Sequence, residues 1–171
     1  MNLKFRKARQ QDFDAIWQIF SSAIVHMNEQ GIEQWDEIYP DKDIILDDIK
    51  NQQMYLLIEK DVPVSAVVLN EYQDEQYVVL PWRYTGEKTA VIHRLCVSPS
   101  RQGKGWGKRT VQLAEKELTR QGYICIRLDA FSQNSFALHL YESLGYEKVG
   151  DMLQFRKGKF YCYEKRLRET D

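Results

Sequence analysis

The spacing of apolar residues switches between helical and strand-like periods along the chain. Leu3 to Arg6 alternates as a short strand does. Phe13, Ile16, Trp17, Phe20, Ile24 and Met27 then recur at three- and four-residue steps, which predicts an amphipathic helix ended by Gly31. Gly31 to Pro40 has no clean period. Ile45, Leu46 and Ile49 mark one face of a second, shorter helix. Met54–Ile58 and 63–69 read as a hairpin around Lys60 and Asp61, with Pro63 where a missing amide is tolerated. Tyr77 to Trp82 reads as a further strand or pairing edge. After a polar turn, 90–97 carries apolar groups on both faces, as a buried strand does, and Pro99 stops it. The second half alternates: a helix over 105–120 with Val111, Ala114 and Leu118 inward, a break at Gly122, a strand over 124–130, a helix over 135–144 capped by Gly145, and two strands around Lys157 and Gly158. Such alternation predicts an α/β sheet of six to seven strands with helices on its faces.

Composition sharpens this picture in three ways. The 171 residues are 43% apolar and 12% aromatic, enough to fill the core of one domain, and no internal repeat or linker divides them. Lys and Arg number 24 against 25 Asp and Glu, so a nucleic-acid partner has no support from total charge and would need a local basic surface. Cys96, Cys125 and Cys162 lie far apart, without zinc-site spacing or the even count of a disulfide scaffold, which suits a reducing compartment. No apolar run approaches the roughly 20 residues of a bilayer span, and the first ten residues do not read as a leader. The expectation is a cytoplasmic protein with no metal, no membrane partner and no nucleic-acid partner.

The sharpest local signal follows the buried strand: Arg101, Gln102, Gly103, Lys104, Gly105, Trp106, Gly107 and Lys108, running into a helical pattern. Glycines at alternate positions expose backbone N–H groups, and a helix starting there points the positive end of its dipole at the same spot. Arg101, Lys104 and Lys108 add cationic charge. Phosphate binding and plain turn geometry both fit. A Walker-type loop does not, because Gly107 is followed by Lys108 and Arg109, without the required hydroxyl. A dinucleotide fingerprint belongs after a first strand; here the turn lies past mid-chain, and Asp129, at a tempting distance, reads as a strand-end residue.

The second constellation is Asn134, Ala137, Leu140, Tyr141, Gly145 and Tyr146. Asn134 is placed to cap a helix, and small Ala137 leaves room on the face that holds Tyr141. Tyr141 could donate a proton to a leaving group, or its ring could simply pack.

In this order the two constellations resemble the acetyl-CoA-binding core of the GNAT superfamily of N-acetyltransferases. Gln102 to Gly107 is similar to its pyrophosphate loop, in which Gln or Arg is followed by two residues, Gly, one residue, and Gly or Ala. Asn134 to Tyr146 resembles its later motif. The resemblance is strong from Ile92 to Val149 and weak before Met54. It implies a single N-acetyltransferase domain over 1–171, with acceptor-side helices over about 1–53 and the acetyl-CoA core over about 89–150. It implies a mixed sheet whose central strands part to admit the pantetheine arm beside Leu95, Cys96 and Val97, and a cofactor surface made of Arg101, Gln102, Gly103, Lys104, Gly105, Trp106, Gly107, Lys108, Asn134, Ala137 and Tyr141. Acetyl-CoA is then the cosubstrate, an amine attacks directly, and Tyr141 is the donor to the departing sulfur.

The attacking amine must be deprotonated, and amines near pKa 10 are not so at neutral pH without help. His93 has the most suitable pKa and, two residues before Leu95, shares that residue's face of a regular strand. Hydrogen bonding within the sheet is its other reading, and Glu29 and Glu33 are alternative bases. In the superfamily the first helices and the following loop wall the acceptor. Here they bring Met27, Glu29, Glu33, Trp35 and Tyr39, and Trp82 adds a second aromatic group; aromatic walls with carboxylates suit a cationic amine. Trp35 and Tyr39 equally suit core closure. Gly31 to Trp35 also resembles a Gly, Ile, any residue, Gln, Trp signature of small bacterial acetyltransferases. The expected acceptor is a small-molecule amine. Alternatives are a protein or peptide acceptor, or an acyl-CoA-binding regulatory module without turnover. The resemblance also allows a homodimer.

Overall fold

The structure is a computed structural model and describes residues 2–168. Its strands are β1 (Leu3–Lys7), β2 (Met54–Glu59), β3 (Val62–Asn70), β4 (Thr89–Val97), β5 (Cys125–Phe131), β6 (Glu147–Gln154) and β7 (Gly158–Arg166). The helices are α1 (Phe13–Glu29), α2 (Lys42–Lys50), α3 (Trp106–Arg120) and α4 (Ser135–Ser143). The strands form one seven-stranded mixed sheet in the order β1-β2-β3-β4-β5-β7-β6. Six to seven strands were expected; seven are present among the described residues.

The described residues fall in two compact units, one within Met1–Leu69 and Arg94–Leu113, the other within Asn70–His93 and Ala114–Asp171. In the first, β2 and β3 pair so that Met54 faces Val68 and Leu56 faces Ala66. These residues join Ile16, Ile19, Phe20, Ala23, Ile45 and Ile49 in one core cluster, with Phe13, Trp17, Ile24 and Met27 packed at its margin. Of the helical stripe read from the sequence, Ile16 and Phe20 are buried and Phe13, Trp17, Ile24 and Met27 flank them, while Ile19 and Ala23, outside that stripe, complete the buried face of α1. Asp41 caps α2, its carboxylate accepting the Ile44 amide at 2.9 Å. α1 ends where Gly31 N donates to Asn28 O and Ile32 N donates to Met27 O, the paired bonds that close a helix C-terminus.

In the second unit, β5 and β7 pair antiparallel over the full length of β5. Parallel pairing of β4 with β5 covers Thr89, Ala90 and Val91 and ends there, although β4 runs on to His93 within this unit and β5 to Phe131. That is the parting of strands expected for this fold class.

One element differs from its sequence reading. Tyr77 to Trp82 is no strand: a short 3-10 helix covers Glu75–Val79, started by Asp74, whose side chain accepts the Gln76 amide at 2.9 Å. Tyr77 turns inward and is buried, whereas Val78 and Val79 are exposed. The β-prone composition was outweighed by the cap and by one part-buried hydrogen bond, from Tyr77 Oη to Asp129 Oδ2 at 2.7 Å.

Candidate active site

The glycine turn is built from the buried end of β4 outward. Cys96 is sealed in the core, its Sγ 3.9 Å from Ile19 O, so only its backbone could meet a ligand. Ser98 N donates to Val64 O and ties the strand end to β3, and Gln102 Nε2 donates to the Val97 carbonyl at 3.3 Å. Gly103 and Gly105 then take φ of 74° and 79°, the left-handed region that glycine enters without steric cost. A Cβ at either position would meet no atom within 4 Å, so the turn faces open space. Helix α3 begins at the next residue. Its first intrahelical bond is Arg109 N to Gly105 O, which leaves the amides of Trp106, Gly107 and Lys108 without a carbonyl four residues back. A run of such donors at a helix start is suited to an anion.

The charges around the turn divide. Arg101 is spent on an ion pair, its NH1 2.6 Å from Glu59 Oε2 at the end of β2. Lys104 and Lys108 are exposed and have no ion-pair or hydrogen-bond partner among the described residues. The turn also has an anchor that the sequence reading missed. Thr110 Oγ1 donates to Trp106 O at 2.7 Å, so the hydrogen in the 2.6 Å contact with Ser65 is supplied by Ser65 Oγ. Both residues are fully buried. Two hydroxyls in apolar runs gave no signal, since they lie 45 positions apart.

The strand entering the turn is irregular. Arg94 has φ of 48°, rare for a residue with a side chain, and this interrupts the alternation by which His93 and Leu95 were expected to share a face. Leu95 and Val97 are half-buried. The Arg94 guanidinium grips Asp48 of α2, with Nε to Oδ2 at 2.9 Å and NH2 to Oδ1 at 2.6 Å, and its NH1 donates to Tyr39 Oη at 2.8 Å. Sequence reasoning singled out neither Arg94 nor Asp48.

The remaining acceptor-side residues of the first unit are dispersed in role. Trp35 is core, with its ring 5.6 Å from that of Phe20. Met27 packs at the margin of the same cluster. Glu29 and Glu33 are exposed. Tyr39 is exposed and is held by a turn in which Asp36 Oδ1 accepts the amides of Ile38 and Tyr39.

In the second unit, Tyr141 lies on α4 with its ring edge-on to Tyr146 at 5.6 Å and tilted to Tyr163 at 6.5 Å. Its hydroxyl has no hydrogen-bond partner among the described residues, yet Arg127 Nε is the sole buried side-chain atom there without one. The Tyr141 hydroxyl is therefore not wholly sealed, although the residue is only 6% exposed. Burial, helped by the charge of Asp129, raises its pKa above the ordinary phenol value, so it stays protonated at neutral pH. Asn134 caps α4, its Oδ1 accepting the Ala137 amide at 3.1 Å. His93 Nε2 lies 2.7 Å from Asn70 Oδ1 and 3.2 Å from the Tyr72 carbonyl. A carbonyl can only accept, so Nε2 carries the proton, and the lone pair of the neutral ring is on Nδ1.

Trp82, expected at the acceptor, is pinned within the second unit: its indole N–H donates to Tyr77 O and the Arg127 guanidinium lies 4.2 Å from its ring centre. Asp129, read from the sequence as a strand-end residue, is a perturbed titratable group. Burial pushes its carboxyl up to about 6, against the Tyr77 hydrogen bond and with the charge of Asp74. Among the described residues no helix is long and apolar enough to cross a membrane, and no cluster of His, Cys, Asp and Glu could hold a metal ion.

Comparison with known proteins identifies the family. The model of the acetyltransferase (GNAT) family matches residues 13–146, and the chain belongs to that family. It is 29% identical over 144 residues to YesJ, an uncharacterised N-acetyltransferase of Bacillus subtilis strain 168, covering 82% of this chain and 79% of that one. Its fold is similar to that of a GNAT-family acetyltransferase from Streptococcus agalactiae 2603, with a TM-score of 0.86, 21% identity and coverage of 99% and 98% of the two chains. It is also similar to yncA of Salmonella typhimurium, solved with its cofactor acetyl-CoA, at a TM-score of 0.72 and 21% identity over 99% and 96% of the chains.

Proposed function

We propose that this protein moves an acetyl group from acetyl-CoA to the nitrogen of an amine, and that the acceptor is a small molecule. The observation that carries the reading is the turn after β4. Gly103 and Gly105 are left-handed and open to space, the first amides of α3 begin beside them, and Lys104 and Lys108 have no ion-pair or hydrogen-bond partner among the described residues. These residues fit a diphosphate. Family membership and the acetyl-CoA held by yncA support the choice of CoA over another diphosphate.

When bound, acetyl-CoA supplies a thioester whose acyl carbon takes the amine lone pair as the carbon–sulfur bond breaks. Under this reading the backbone of Leu95, Cys96 and Val97 orients the pantetheine arm, and the amide near Leu95 faces the acyl oxygen. Tyr141 holds its proton at Oη for the leaving sulfur, consistent with a phenol kept neutral by burial. His93 takes the proton of the amine at Nδ1, the nitrogen left with the lone pair by its contacts to Asn70 and Tyr72. Three free, buried cysteines support a reducing, cytoplasmic setting. The test is turnover on a panel of amines, following CoA release and identifying the acetylated product. Acetylation of one class of small amine is expected. Tight CoA binding without turnover on any amine or peptide would make this a regulatory module instead.

A further inference from the structure

Two features of the first unit each carry a cost and meet at one side chain. Arg94 holds a left-handed backbone in the middle of a strand, a conformation that persists only when its surroundings enforce it. Its guanidinium and the Asp48 carboxylate form an ion pair whose side chains are 14% and 8% exposed. Buried ion pairs of this kind are often no better for stability than apolar residues of the same volume. Tyr39 completes the fork, and the turn set by Asp36 delivers it there. One guanidinium thus gathers α2, the 36–39 turn and β4.

We propose that Asp48 and Tyr39 act through Arg94 as positioning residues for acetyl transfer: they hold the chain left-handed at 94, which sets the direction of the Leu95 amide, and they tie the 36–39 turn to that strand. The inference rests on the acetyltransferase reading above. In a regular strand the peptide between residues 94 and 95 would follow the ladder; a φ of 48° turns it out of that line. A donor aimed in advance at a developing negative charge is effective because it needs no rearrangement during the reaction. Burial raises the Asp48 carboxyl despite the opposing pull of Arg94, and for Arg94 the phenol and the carboxylate outweigh burial and raise its pKa. Asp47 is the other charge acting on Asp48.

The test compares two double variants, Asp48→Asn/Arg94→Gly and Asp48→Asn/Arg94→Ala. Both lose the ion pair, but only glycine adopts the left-handed backbone without strain. The alanine double should lose about tenfold or more in kcat, in line with a misaimed donor, with its affinity for acetyl-CoA by calorimetry unchanged. The glycine double should keep several-fold more turnover, on the order of the strain relieved, while being no more stable to heat. Equal kcat in the two doubles, or turnover that simply follows Tm, overturns the proposal. Should both doubles fail to fold, Tyr39→Phe decides: lowered kcat at constant Tm supports the role, and unchanged kcat refutes it. A wild-type protein that binds acetyl-CoA but shows no Leu95 amide shift by NMR would also refute it, whereas one that binds no acetyl-CoA refutes the acetyltransferase reading itself.

Discussion

Tyr141 and His93 make separable demands on the proton. Tyr141→Phe keeps the ring that packs on Tyr146 and Tyr163 and removes the hydroxyl, so acetyl-CoA affinity should hold while kcat falls by about 10²-fold, the usual worth of a positioned acid. Unchanged kcat with a chemistry-limited amine would leave Tyr141 as packing. His93→Gln keeps an N–H that can donate to Asn70 and Tyr72 but cannot titrate, so the limb of the kcat/KM profile near neutral pH should disappear. Asp129 gives a stability prediction whose sign follows from its shift. Its folded carboxyl titrates at about 6, above an ordinary value of 3.8, so the folded state holds the proton more tightly. The stabilisation by protonation is fully present below 3.8 and is lost as pH rises through about 6. Wild type should therefore lose roughly 3 kcal/mol relative to Asp129→Asn between pH 3.5 and pH 7, and parallel unfolding curves across that range would contradict the shift.

The glycine turn and the start of α3 work as one element. At Gly105 the space for a side chain is open, so Gly105→Val is costly through its backbone rather than through a clash: φ of 79° costs an L-residue about 1–2 kcal/mol. Relief of that strain would rotate the turn amides, and acetyl-CoA affinity should fall at least about tenfold, measured by calorimetry on a variant shown to be folded. Beneath the turn, Thr110→Val removes both of its hydrogen bonds and strands the Ser65 hydroxyl in the core, at about 1–3 kcal/mol. Ser65→Ala/Thr110→Val should be less destabilised than Thr110→Val alone, because it leaves no orphan. This turn was legible in the sequence because its signal is local: glycine spacing, cationic neighbours and a helix pattern lie within eight positions. The Arg94 network was not. Asp48 and Arg94 are 46 residues apart, a strand pattern with apolar groups on both faces conceals a left-handed residue, and charge pairing across the chain has no sequence period.

For the molecule as a whole, burial has spent much of the chemistry that the composition seemed to offer. All three thiols are buried and held above their ordinary pKa by desolvation, that of Cys162 pushed up to about 12. The native protein should be silent to a thiol-specific disulfide reagent and release three equivalents on unfolding; rapid labelling of the native state would mean that these cores open readily. The α/β alternation, the six-to-seven-strand estimate and much of the inward faces of α1 and α3 were readable, since period and helix stops are written in neighbouring residues. The segment from Tyr77 to Trp82 was not, because a partner 52 positions away, Asp129, decides its conformation. Trp35 and Trp82 show the same limit: an aromatic residue in a loop reads alike whether it lines a pocket or closes a core. The most direct test of the central claim is calorimetric titration of the folded protein with acetyl-CoA and with CoA. The account predicts binding at one site per chain, weakened by salt and by up to about tenfold in Lys104→Ala/Lys108→Ala. A cooperatively folded protein that gives no binding heat and no thermal shift with either ligand would contradict it.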